Sequence, residues 1–445
     1  MTASRATQKD MPEKALTIGT QSEQLSTATF VGYVLFLLDF FLHIASRIPF
    51  ISVIRPTLLL VIFIFTLMAL QQTVFKKRDT TRLHLMMMGL LGYLLVSLPF
   101  VTFPGSVIRE NFSDFFKAIV FFYFTAAIID SPSRLKIVLF VFILSQLFRV
   151  MEPLYLNFTR DYWGSATHLG AGEFANRLSG APHDVINPNE LGFVIVTLIP
   201  FLHFLLFPRR LLWKGLYLVL IGCLLYALVL TMSRGAFLVL FVIGWMVFRK
   251  SQKKIILVFA ALGVMVSAWE LMTPVQKDRY MSLIYSDMVS SKSVDGRITG
   301  MLKEFELGFK RPVFGHGLGT TTESKYHYFG VRQASHNMYA ELIIEIGLVG
   351  MFFFLRLIYS IYTELTGISR KLRPDSIESK RLLNSLSILF WSYLIFSINY
   401  WGLSQSYWYW LAGLTVAYSR ITQMQNGNDL YCTLSRKVLN GNNNQ

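Results

Sequence analysis

The chain has 445 residues, of which 53% are hydrophobic and only 15% charged, and its mean hydropathy is +0.47. Those figures exclude a string of ordinary soluble domains and describe a chain whose main solvent is lipid. The formal charge of +16 comes from basic residues clustered between apolar runs, a placement that orients a chain in a membrane and meets anionic lipid, so no nucleic-acid partner is implied.

In chain order, residues 1–27 are polar and lack the apolar core of a cleaved signal peptide, so they are expected to form a disordered cytoplasmic tail. Apolar runs near the roughly 20 residues a bilayer demands then lie at 28–46, 56–75, 83–101, 113–129, 134–150, 187–207, 215–232, 234–249, 254–271, 337–358, 382–400 and 404–420. The expected fold class is therefore an all-α integral membrane protein of about twelve transmembrane helices. Residues 28–420 form one polytopic domain, and 421–445 a cytoplasmic C-terminal tail.

Alternate connections are rich in cations: KKRDTTR from Lys76, SPSRLK from Ser131, PRRLLWK from Pro208, RKSQKK from Arg249 and SRKLRPDSIESKR from Ser369. The short connections near 47–55, 102–112 and 401–403 are poorer in them. This bias places the first set and both termini in the cytoplasm and the others outside. Two outward segments are long, 151–186 and 272–336, and the second is expected to hold short helices of its own. Cys223 and Cys432 match no metal spacing and are read as bystanders.

Polar residues gather on the outward side. TMSRGAF places Arg234 at the outer end of its helix, NRLSGAPHDVINPNELG brings Arg177 and Asn187 there, and the 272–336 loop carries Arg297, Lys310 and Arg311. SHNMYAELIIEIG then opens the next span with His336 and Asn337, followed by Glu341 and Glu345 on one helix face. Guanidinium forks suit phosphate oxygens, and an imidazole beside them suits a general base. Each residue has a structural alternative: Arg234 as an interfacial anchor, His336 as a ring satisfying a helix start, and Glu341 and Glu345 as braces, which is the favoured reading for the two carboxylates. GHGLG at Gly315 lacks the βαβ setting of a phosphate loop and reads as a tight turn. His168, Glu173, His183 and Asp184 match no ligand spacing, so no metal or other cofactor is expected.

These stretches resemble the O-antigen ligase and polymerase family. The resemblance covers about 175–358 and rests on RLSGAPHDVINPNELG at Arg177, TMSRGAFLVL at Thr231, DGRITGMLKEFELGFKRPVFGHGLGTT at Asp295 and SHNMYAELIIEIGLVG at Ser335. It implies a GT-C-like glycosyltransferase of the bacterial cytoplasmic membrane, active on its outer face. Its partners would be a polyprenyl-diphosphate-linked oligosaccharide, an acceptor glycan or glycolipid, membrane lipid and a chain-length regulator. On this likeness Arg234 binds the diphosphate, with Arg297, Arg177 and Arg311 as further contacts. His336 deprotonates the acceptor, supported by Asn337, Glu341 and Glu345, and the anomeric centre inverts without a metal. Arg297 is followed by ITGML where the family often has an aromatic residue, which makes Arg311 the fallback. Polymerase is favoured and ligase is the alternative. A transporter is the rival from another class, since intramembrane cations suit a carrier as well.

Overall fold

A computed structural model of the protein describes residues 25–71, 81–170, 173–207, 210–281, 292–373, 376–400 and 402–441. The expected tail therefore lies outside the described residues up to 24, as do 442–445. Every apolar run read from the sequence coincides with a helix. Among the described residues, six helices are long and apolar enough to cross a membrane: Arg82–Phe100, Pro104–Ile128, Pro132–Arg160, Pro188–Leu206, Leu211–Thr231 and Met338–Lys371. Thr27–Leu42, Pro56–Leu70 and Lys254–Ser267 are shorter apolar helices.

The helix starts follow from local chemistry. The Ser26 and Ser131 hydroxyls accept from Thr29 and Arg134 backbone N–H groups, and the second start adds Pro132 in its first turn. Asn187 begins its helix with a full capping box: its side chain accepts from Glu190 N–H, and the Glu190 carboxylate accepts from Asn187 N–H at 2.8 Å. Ser233 and Asn337 cap the Arg234–Lys250 and Met338–Lys371 helices with a single side-chain bond each, from Ala236 N–H and Ala340 N–H. Aromatic packing fills the interior. Phe36, Phe121, Phe142, Phe201, Trp408 and Trp410 are buried, with Phe142 and Trp410 ring centroids 4.3 Å apart.

Three features depart from the sequence reading. The helix expected over 134–150 runs from Pro132 to Arg160, because Pro153 is tolerated inside it and the polar residues that lower its hydropathy have partners. The last helix continues past 420 to Gly441. The all-α expectation also misses a two-stranded antiparallel hairpin, β1 (Gly164–Gly170) and β2 (Glu173–Leu178), which pairs Ser165 with Arg177 and Ala166 with Asn176. The segment after Leu271 does carry short helices, at Pro274–Met281, Lys292–Phe309 and Thr321–Phe329.

The Met338–Lys371 helix is interrupted at Gly347, whose φ of 64° leaves the helical region. A break frees backbone groups, and the preceding loop satisfies them. His316 N–H donates to Ile344 O at 2.7 Å, Gly317 N–H to Glu345 O at 2.9 Å, and Leu348 N–H to Pro312 O at 2.7 Å. GHGLG is thus a plug in a helix break. Its own Gly315, at φ 74°, lies so close that a Cβ would meet the Glu345 carbonyl at 2.6 Å.

Candidate active site

A chain of contacts gathers the alternate connections at one end of the bundle. Asp184 bonds to His43, Arg177 to the Thr231 carbonyl, Tyr400 to Glu190, and Gly402 and Leu403 to Glu341. His316 bonds to Thr102 at the same end.

Arg234 stands on the first turn of its helix and is 7% exposed. A cation there faces the positive end of the helix dipole, where an anion would be stabilised. That burial argues against a simple interfacial anchor. Arg177, expected as a diphosphate contact, is buried beside the start of the Arg234 helix: its Nε–H donates to Thr231 O at 2.8 Å and Nη2 to Asn189 Oδ1 at 3.0 Å. It fixes the turn through Met232 that launches the Arg234 helix, so positioning is the role its geometry supports. Gly192 admits that turn, since a Cβ would meet Ala236 Cβ at 2.8 Å and Ser233 Cβ at 2.9 Å.

The helix start behind His336 is braced from several sides. Asn337 Oδ1 caps Ala340 N–H at 3.0 Å, while Nδ2 donates to Ile398 O at 2.9 Å and touches Met301 Sδ at 3.3 Å. Ser335 Oγ donates to Glu304 Oε2 at 2.8 Å, and the other oxygen of Glu304 accepts from Lys325 Nζ at 2.8 Å. All three side chains are buried. His336 itself is half-buried, with Nε2 3.3 Å from the Gln333 amide nitrogen.

One turn links the two helix starts. Met338 N–H donates to Ser397 O at 2.9 Å and Asn337 holds Ile398 O, while a Cβ on Gly235 would lie 3.5 Å from Asn399 Cβ. The residues next to Arg234 and those next to His336 therefore rest on adjacent positions of 397–399.

Glu341 and Glu345 bond to surrounding segments. Glu341 Oε2 accepts from Gly402 and Leu403 N–H at 2.7 and 3.2 Å. Glu345 accepts from Gly319 N–H and Thr321 Oγ at 2.8 and 2.7 Å. Arg311 is exposed. Arg297 lies four residues before Met301 on the Lys292–Phe309 helix, and its side chain is outside the described residues. His316 is fully buried, and that burial pushes its pKa down; the Arg311 charge acts the same way, against the raising effect of the Leu307 carbonyl. As a neutral ring it accepts from Thr102 at Nδ1 and donates to Leu307 O at Nε2.

Sequence reasoning missed a second buried cluster. Arg149 forks onto Asp184, Nε to Oδ2 at 2.6 Å and Nη2 to Oδ1 at 2.9 Å, and His43 Nδ1 meets Oδ1 at 2.7 Å. Burial alone would raise the Asp184 pKa, but the bonds and charges of His43 and Arg149 outweigh it and hold the carboxyl at about 2. Asp184 is thus engaged by the Arg149 cation and the His43 ring. Among the described residues no three His, Cys, Asp or Glu side chains converge as metal ligands.

Residues 218–355 match the sequence profile of the family described as O-antigen ligase. That segment is similar to the O-antigen ligase family. The matched segment contains Arg234, Arg297, Glu304, Arg311, His336, Glu341 and Glu345, so the residues joined through 397–399 fall inside it on both sides. Full-length comparison with curated proteins finds no match. The match and the apolar helices together support a membrane protein of polysaccharide biosynthesis.

Proposed function

We propose that this protein is a polyprenyl-diphosphate-dependent glycosyltransferase with its site on the outer face of the cytoplasmic membrane. On this reading the remaining apolar helices span as well, and both termini are cytoplasmic. The observation that supports the proposal is the shared turn at 397–399, on which the residues next to a buried arginine at a helix N-terminus and those next to His336 rest at adjacent positions. The acceptor hydroxyl oxygen attacks the anomeric carbon of the donor while the carbon–oxygen bond to diphosphate breaks. The hydroxyl proton passes to His336 Nε2, and the polyprenyl diphosphate leaves with the bonding pair, which inverts the anomeric centre. Arg234 and the dipole of its helix stabilise the charge developing on the leaving group. Arg297 and Arg311 are the further phosphate contacts, and Arg177 holds the Arg234 turn. A growing lipid-linked chain is the favoured acceptor, with lipid A core or a protein as the alternative, and a chain-length regulator is the expected partner of a polymerase.

The interrupted helix at Gly347 is the feature that would suit a transporter. Its freed backbone groups are bonded by the 312–317 loop, which favours a structural plug over an ion site. The test is purified protein with a polyprenyl-diphosphate oligosaccharide, scored for elongation without acceptor and for transfer to added lipid A core. Elongation supports polymerase, transfer to core supports ligase, and neither product overturns the reading. Within that assay Arg234→Lys is expected to fall between wild type and Arg234→Ala, because an ammonium keeps charge and loses the fork. Orientation is checked with an impermeant thiol reagent on intact cells after replacing Cys223 and Cys432: Ser251→Cys stays unlabelled and Val331→Cys reacts.

A further inference from the structure

A cavity of about 580 Å³ opens beside the hairpin, lined among others by Arg160, Asp161, Tyr162, Trp163, Ser165 and Asn176. That volume is in the range of small-molecule sites. Two consecutive aromatic residues contribute to its wall, and both have their polar ends tied to the protein. Tyr162 Oη donates to Gly180 O at 2.7 Å, and Trp163 Nε1–H donates to Asp161 Oδ1 at 3.0 Å. Rings fixed in this way offer apolar faces at little entropic cost on binding. Gly164, at φ 75°, lets the Tyr162 ring end pack against the backbone, since a Cβ would meet Tyr162 Oη at 2.5 Å.

The polar lining is mixed. One cation, Arg160, and one anion, Asp161, stand with the Asn176 amide in the lining. A phosphate would be repelled by the carboxylate, whereas a ligand with apolar faces and a rim of hydroxyls matches rings, amide and carboxylate together. Successive strand residues point to opposite faces, so Asn176 lines the cavity while Arg177 reaches the Thr231 carbonyl before the Arg234 helix. The cavity therefore lies across one hairpin from the start of that helix.

We propose that this cavity is a saccharide subsite that holds sugar residues of the lipid-linked glycan away from the diphosphate. The proposal rests on the glycosyl-transfer reading for the identity of its ligand. The probe is the reducing oligosaccharide released by mild acid from the lipid-linked pool of the producing cells, observed by saturation-transfer NMR with the full-length protein in detergent. Wild type is expected to bind it, Trp163→Ala and Asn176→Ala to weaken binding about tenfold or more, and Trp163→Phe to recover part of the loss. In turnover, Trp163→Ala should raise KM for the lipid-linked donor and hold kcat within about twofold. Binding that depends on Trp163, in a wild-type protein that transfers no glycan, keeps the subsite and overturns the glycosyl-transfer reading. Active transfer with wild-type KM and affinity in Trp163→Ala and Asn176→Ala does the reverse. Saturation by glycerol phosphate with the oligosaccharide silent makes the cavity a headgroup site and overturns the proposal.

Discussion

Two buried ion pairs brace the loop-rich end of the bundle, and they differ in where their carboxylates point. Asp184 is closed on itself, with both oxygens taken by the Arg149 fork and His43 adding a third bond. Glu304 is divided: one oxygen holds Lys325 and the other accepts from Ser335, the residue before His336. The first pair anchors the 179–187 segment to the Pro132–Arg160 helix, and His43 ties in the end of the first helix. The second passes its rigidity to the turn that carries the proposed base. A buried carboxylate can thus serve stability alone or position a neighbour, and its second oxygen tells which.

The contrast breaks most visibly at the base itself. His336→Ala should lower transfer per folded molecule about 10²- to 10⁴-fold while donor binding and thermal midpoint stay near wild type, and the acid limb of the wild-type pH profile should vanish. Turnover profiles that coincide in height and shape would make the histidine structural. Asp184→Ala should behave oppositely. It strands the Arg149 cation in a buried site, a loss of about 3–5 kcal/mol read as a lower melting point and reduced yield, with turnover per folded molecule little changed.

The same pair has a pH signature. The folded Asp184 carboxyl titrates at about 2, below its ordinary value, so its contribution is fully present above roughly pH 4 and is lost as pH falls toward 2. Wild-type melting temperature should drop through that window, and Asp184→Asn should lack this component. Glu304→Gln tests the intermediate case. It keeps the size of the side chain but removes the charge facing Lys325, and an ångström of drift in the His336 turn is worth about 10²-fold in kcat. Ser335→Ala is the smallest cut, removing one link worth about 0.5–1.5 kcal/mol. If Glu304→Gln lowers only stability, Glu304 joins Asp184 as an anchor.

Much of this end was legible because its helix starts are local. Ser233, Asn337 and the Asn187–Glu190 box announce themselves within four residues, and motif likeness points to Arg234 and His336. The partners were not legible. Arg149 and Asp184 are 35 positions apart, and Ser335 and Glu304 31 apart, so no periodicity encodes them. The rule that a cation among apolar residues needs a partner marks Arg149 as readily as Arg234, yet names no acceptor. Arg177 shows the converse: residue type suggests phosphate, while folding gives two of its donors to Thr231 O and Asn189. The hairpin escaped because strands of seven and six residues carry too little alternation to read.

The plugged break at Gly347 also bears on how the protein is made. The 312–317 loop leaves the ribosome before the span whose gap it fills, and unpaired backbone groups in lipid cost several kcal/mol. The Met338–Lys371 segment is therefore complete as a membrane element only after the earlier loop has docked into it. Biogenesis of this region runs backwards along the chain, with the older segment waiting for the younger.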